Sequence, residues 1–238
     1  MTIANSESNT LLNLHAVLPV SYVNGPGTRA VVWTQGCSLR CPGCGNPLTH
    51  SHQPRVLVQP RRLADYILAI PGLEGVTISG GEPFEQSAAV GNVCLALREA
   101  GLSVMLFTGW NYRDICQCSN SAARRLLGAI DILIDGPFIQ ELADSSLLWR
   151  GSSNQQVRFL TNRYSPDVLQ NTHAQVEVVL KQDTTDMTIT GFPDDVDIRT
   201  LSARLEAEVG IVLESIESKC NVNMIFGDKN HDRTRQAH

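Results

Sequence analysis

Three cysteines, Cys37, Cys41 and Cys44, fall in the order C-x3-C-x2-C within eight residues. They follow directly on the run Arg29-Ala-Val-Val-Trp-Thr-Gln35, which reads as a strand. The cysteines therefore sit on a loop that leaves a strand end and can wrap around an inorganic centre. Three readings stay open on spacing alone. A zinc ion of the Cys3His type would take His50 or His52 as its fourth ligand. A closed iron–sulfur cluster would need a distant fourth cysteine, because ferredoxin-type clusters are held by four. A four-iron cluster on these three thiolates alone would leave one iron with an exchangeable position, as a cosubstrate that binds metal directly requires.

The other cysteines add little to that set. Seven is an odd count with uneven spacing, a poor match to a secreted disulfide framework. Cys94 lies inside a helical pattern and reads as a buried thiol. Cys116 and Cys118 read as incidental on a helix, and Cys220 as a free thiol in a polar tail. The first residues lack a basic start followed by an apolar run, and no apolar stretch approaches the roughly 20 residues that span a bilayer. The expectation is a reduced, cytoplasmic protein. A net charge of −5 and a pI near 5.7 argue against bulk binding to nucleic acid or anionic membrane.

Along the chain, 11–23 reads as extended and Asn24-Gly-Pro-Gly27 as a turn. Residues 60–70 have helical spacing of Leu63, Tyr66, Ile67 and Ile70. Strands over 76–79, 104–108 and 130–134 alternate with a helix over 87–100 and one or two helical segments over 111–128. Strand–helix alternation of this kind implies parallel βα units. The fold class is α/β, with a partial (β/α) barrel as first choice and an open doubly wound sheet as runner-up. After residue 155 the pattern changes. Residues 175–181 and 187–192 alternate as a β-hairpin about the turn 182–186, and 198–209 reads as an amphipathic helix. The expected division is a core over 1–160, an extension of the same domain over 161–217 and a flexible tail over 218–238.

Downstream of the cysteines lies Ser79-Gly80-Gly81-Glu82-Pro83. Two glycines allow a ligand close to the backbone, and Glu82 offers an acceptor to an ammonium group. With the cysteine loop, this turn resembles the radical S-adenosylmethionine superfamily. Further along come Phe107-Thr-Gly-Trp110, Asp135-Gly-Pro-Phe138 and Leu148-Trp-Arg-Gly-Ser-Ser-Asn-Gln155. Together these are similar to the glycyl-radical enzyme activases that serve anaerobic ribonucleoside-triphosphate reductase. The likeness covers about residues 20–160, and WRGSSNQ is its most specific piece. On the residues alone, WRGSSNQ is either a set of ligand-binding groups or a polar loop that organises its own backbone.

The resemblance implies a [4Fe–4S] cluster on Cys37, Cys41 and Cys44, with S-adenosyl-L-methionine as cosubstrate. One electron from the cluster would break the S–C5′ bond, giving methionine and a 5′-deoxyadenosyl radical that abstracts a hydrogen atom. Gly80, Gly81 and Glu82 would hold the methionine end. Ser79, Thr108 and Asp135 at strand ends, with the loop glycines Gly43 and Gly45, are further candidate contacts. The expected partners are a glycyl-radical enzyme and a flavodoxin- or ferredoxin-like electron donor. A radical enzyme acting on a metabolite or peptide, and a non-enzymatic Fe–S or zinc protein, are the alternatives. Two departures stand out: Gly45 occupies the position after the third cysteine where the family has an aromatic, and 165–238 extends beyond the short activases.

Overall fold

Six consecutive buried residues make β2 (Arg29–Thr34) a strand covered on both faces, as a central parallel strand must be. In the computed structural model, which describes residues 10–170, 176–180, 187–191 and 200, β2 lies inside a seven-stranded sheet. Its neighbours are β1 (Leu12–Ser21), antiparallel, and β4 (Gly75–Gly80), parallel. Parallel pairing continues through β5 (Ser103–Phe107) to β6 (Ile132–Asp135). Antiparallel strands close each edge, β3 (Val56–Val58) beyond β1 and β7 (Gln156–Phe159) beyond β6. The centre is thus parallel, and the sheet is open with β3 and β7 at its ends.

The described helices are α1 (Pro60–Leu68), α2 (Ser87–Glu99), α3 (Tyr112–Gln117) and α4 (Ser121–Leu127). Leu63 and Ile67 of α1, Val90, Val93 and Leu97 of α2, Ile115 of α3 and Leu126 of α4 share one core with Val32, Val76, Ile78, Val104, Leu106 and Leu133 of the strands. Side chains alternate across a strand, so this is one face of the sheet. An open doubly wound sheet would carry helices on both faces; here the described helices gather on one. Cys94 is fully buried in that core, as its position in the helical pattern predicts.

The other face carries Val31 and Trp33 of β2, Met105 of β5 and Ile132 and Ile134 of β6. At the amino ends of the strands it is filled by Arg29, which is fully buried. Arg29 donates to Thr77 Oγ1 (2.9 Å), Ser103 Oγ (2.7 Å) and the carbonyls of Pro26 and Val76. Burial lowers its pKa to about 10. With that end packed, space is left at the carboxyl ends, where α/β sheets bind ligands.

A separate hairpin, β8 (Val176–Leu180) paired with β9 (Met187–Gly191), agrees with the alternation in the sequence. Val179 packs on Leu18, Val31 and Trp33, and Asn24 Nδ2 donates to Thr190 Oγ1 at 2.9 Å. The predicted turn 182–186, the helix over 198–209 except residue 200, the tail from 218 and Cys220 lie outside the described residues. Among the described residues no helix is long and apolar enough to cross a membrane.

Candidate functional site

Beyond the carboxyl ends of β2, β4, β5 and β6 lies an open cleft whose enclosed part is about 110 Å³. Cys37, Cys41 and Cys44 line it together with Gly80, Gly81 and Glu82. Two segments far apart in sequence are therefore brought to one site by neighbouring parallel strands. The contact between them is backbone to backbone: Glu82 N donates to Gly36 O and Gly81 N to Thr34 O, each at 2.8 Å. Glycine at 81 is a steric requirement, since a Cβ there would stand 2.1 Å from Gly36 O.

The loop curls back on its first cysteine. Arg40 has a left-handed backbone, φ 47, and the amides of Leu39 and Arg40 donate towards the sulfur of Cys37. Burial pushes the Cys37 thiol up; those amides oppose it, while the charges of Glu82 and Glu85 add to the rise. Cys37 is buried, and Cys41 and Cys44 are partly exposed. None of the three is in a disulfide, so the donor set suits a thiophilic metal centre. Among the described residues no group of three or more His, Cys, Asp and Glu side chains is gathered tightly enough to hold a single metal ion. Of the two histidines that a Cys3His zinc site could use, His52 Nε2 is engaged by Glu85 at 2.8 Å, whereas His50 lines the cleft with a buried Nε2 that has no hydrogen-bond partner. Desolvation, with the nearby charge of Arg40, lowers the His50 pKa.

Glu82 is completely buried. Its Oε1 accepts from Phe84 N (2.9 Å) and Thr108 Oγ1 (2.7 Å), and its Oε2 from Gly109 N (2.9 Å). Among the described residues no Lys, Arg or His pairs with it. Desolvation raises its pKa to about 7 against those three hydrogen bonds. A buried carboxylate with oriented donors and no counter-charge is suited to receive a cation from a ligand.

The other candidates divide. Ser79, Gly45 and Thr108 line the cleft with the groups above. Gly43 instead packs under Phe138 and Gln140, with a left-handed φ of 70. Asp135 spends its carboxylate on Arg158 Nε (2.5 Å) and Tyr112 N (2.8 Å), and only its neighbour Gly136 reaches the cleft wall. WRGSSNQ organises its own backbone. Gln155 Oε1 accepts from Gly151 N at 2.8 Å, Gln155 Nε2 donates to Gly136 O, and Asn154 Nδ2 donates to Pro137 O, so the loop orders itself. Trp149, Gly151 and Gln155 also line the cleft.

Sequence reasoning missed the apolar wall formed by Leu39, Phe107, Phe138 and Trp149. Phe107 and Phe138 stood inside motifs already singled out. Trp149 is buried at a positive φ of 57, which sequence does not reveal.

Residues 23–158 match the family model described as a 4Fe-4S single cluster domain. The chain is similar to anaerobic ribonucleoside-triphosphate reductase-activating proteins. It is 34% identical to that of Escherichia coli (strain K12) over 157 residues, covering 63% of this chain and 99% of the relative. The Salmonella typhi protein gives the same identity and coverage. That of Enterobacteria phage T4 is 30% identical over 153 residues, 61% of this chain and 93% of the relative. The family match ends before β8 and β9.

Proposed function

We propose that this chain, which belongs to the family of anaerobic ribonucleoside-triphosphate reductase-activating proteins with a 4Fe-4S single cluster domain, is a radical S-adenosylmethionine enzyme that installs a glycyl radical on a partner enzyme. One observation carries the reading: the three thiols and the Gly80-Gly81-Glu82 turn face a single cleft. In this reading the open parallel sheet is the partial barrel of that superfamily. A [4Fe–4S] cluster supplies, when bound, one electron to the sulfonium of S-adenosyl-L-methionine, releasing methionine and a 5′-deoxyadenosyl radical able to abstract hydrogen from glycine.

The chain's own part is to hold and orient. Cys37, Cys41 and Cys44 would hold the cluster, three ligands being one fewer than a closed four-cysteine site has. Glu82 receives the methionine ammonium, its carboxylate aimed by Phe84 N, Thr108 and Gly109 N. Gly80 and Gly81 let the methionine approach the backbone. Leu39, Phe107, Phe138 and Trp149 supply an apolar surface, fit for the adenosyl half and for keeping water from a radical. The partner would be an anaerobic ribonucleotide reductase or a similar glycyl-radical enzyme, with a flavodoxin- or ferredoxin-like protein as electron donor.

A second reading is favoured by β8 and β9, which lie beyond the family match and pack, through Val179, on the face of β1 and β2 away from the helices. A covered face suits a metabolite or a short peptide as hydrogen donor. Anaerobic reconstitution followed by reduction tests both. Cleavage of S-adenosyl-L-methionine to 5′-deoxyadenosine supports the shared chemistry, and a protein-borne doublet in the electron paramagnetic resonance spectrum of an added reductase supports the activase. Cleavage without any doublet moves the assignment to a small substrate, and no cleavage removes both.

A further inference from the structure

Glu85 lies in the short turn Pro83–Gln86 that follows Glu82, outside the cleft lining. Its two carboxylate oxygens have separate partners. Oε1 accepts from the backbone N–H of Ser38 at 2.8 Å, and Oε2 meets Nε2 of His52 at 2.8 Å. His52 lies against Gly36, the residue before Cys37: a Cβ at Gly36 would stand 2.9 Å from the His52 ring. Beside these contacts run the backbone bonds from Glu82 N to Gly36 O and from Gly81 N to Thr34 O. Those bonds stop at Gly36. The Ser38–Glu85 bond reaches past Cys37 into the loop.

We propose that Glu85 is a positioning residue that clamps the cysteine loop to the glycine–acid turn and so fixes Cys37 relative to Glu82. The inference rests on the cluster reading above. An ionised acceptor makes the stronger bond to a backbone N–H, and Glu85 is held ionised. Partial burial opposes its charge, but the bonds from His52 and Ser38 outweigh that and keep the carboxyl below its ordinary range. The His52 side chain is 54% exposed, so solvent screens that pair. Ser38 is exposed as well, so the clamp rests on the two bonds together, the Ser38 amide being the one that reaches past Cys37.

Reach and charge can be separated by two substitutions. Glu85→Asp keeps the charge but is one methylene too short for Ser38. Glu85→Gln keeps the reach and an oxygen acceptor but loses the charge. Each reconstituted variant is compared with wild type for the rate of iron loss to a chelator, and each metal-free variant for hydrogen–deuterium exchange at Ser38. Positioning predicts roughly tenfold faster iron loss and faster Ser38 exchange in Glu85→Asp, with Glu85→Gln, which keeps a weaker neutral bond, between it and wild type. Wild-type behaviour in Glu85→Asp overturns the proposal, as does a defect in Glu85→Gln alone, which would point to charge. If wild type takes up no cluster, the cluster reading fails, and the exchange experiment on the metal-free chain still decides whether Glu85 holds Ser38.

Discussion

The hydroxyl of Thr108, at the end of β5, donates to Oε1 of Glu82, at the end of β4, at 2.7 Å. Two neighbouring parallel strands thus deliver a donor and a buried acceptor to the same point. Replacing Thr108 by valine keeps the shape and removes one of three bonds to a desolvated carboxylate. The loss of a bond to a charged group is about 1.5–3 kcal/mol. Thr108→Val should weaken S-adenosyl-L-methionine binding at pH 7 by roughly tenfold or more, measured by isothermal calorimetry.

Glu82 also makes both binding and stability depend on pH. Its folded pKa is about 7 against an ordinary 4.5. A raised carboxyl stabilises the ligand-free fold below its unfolded pKa and loses that contribution as pH rises through its folded pKa. The loss between those limits is about 3 kcal/mol. In urea unfolding of the ligand-free chain, Glu82→Gln should therefore gain stability relative to wild type between pH 5 and pH 8. Ligand binding has the opposite sign. The ammonium needs the ionised form, so affinity should fall about tenfold per pH unit below pH 7 in wild type and stay flat in Glu82→Gln.

Gly81→Ala should fail for steric reasons. Its Cβ would fall 2.1 Å from Gly36 O, a backbone atom that cannot swing aside. Overpacking of this kind costs about 1–3 kcal/mol, and relief would separate the turn from the cysteine loop. A lower melting temperature together with reduced iron uptake is the expected pair of results.

The strand–helix alternation was legible because β4, β5, β6 and α2 have apolar runs of the right period and length. β3 and β7 were not. Val56-Leu57-Val58 is three residues long on an exposed edge, and Gln156–Phe159 alternates polar with apolar over only four residues, so neither pattern is long enough to read. The site was legible where chemistry is local, in the cysteine spacing and the glycine–acid turn. Asp135 illustrates the limit. Its strand-end position resembles that of Thr108, but Arg158, from the antiparallel edge strand β7, claims its carboxylate. Nothing near Asp135 in sequence announces that pairing. The same holds for Glu85, whose partners Ser38 and His52 lie far behind it in the chain.

The Asp135–Arg158 pair gives a direct test of a structural role against a ligand-binding one. Asp135 is nearly buried, its side chain 4% exposed, while that of Arg158 is 38% exposed and stacks over the Tyr112 ring at 4.8 Å. Removing the arginine strands a buried carboxylate, a loss of about 3–5 kcal/mol in a fully buried pair and about 2 kcal/mol here after allowing for solvent at Arg158. Arg158→Ala should lower stability by that amount while changing S-adenosyl-L-methionine affinity less than twofold. A large loss of affinity with unchanged stability would return Asp135 to the binding site.

Cysteine substitutions separate ligands from bystanders. Cys41 faces the cleft, whereas Cys94 is fully buried in the helix-side core with its thiol pushed up to about 12, too high to form a thiolate near neutral pH. Cys41→Ala should drop reconstituted iron from about four per chain to background, because two thiolates cannot retain a [4Fe–4S] cluster that ordinarily takes up to four. Cys94→Ala removes one sulfur from a packed interior and should cost about 1 kcal/mol of stability at full iron content. Iron retained by Cys41→Ala would contradict the ligand assignment. Iron lost in both variants would mean that loss of fold, and not loss of a ligand, explains the first result. Running the two proteins side by side therefore distinguishes a cluster held by the C-x3-C-x2-C loop from one that depends only on the integrity of the sheet beneath it.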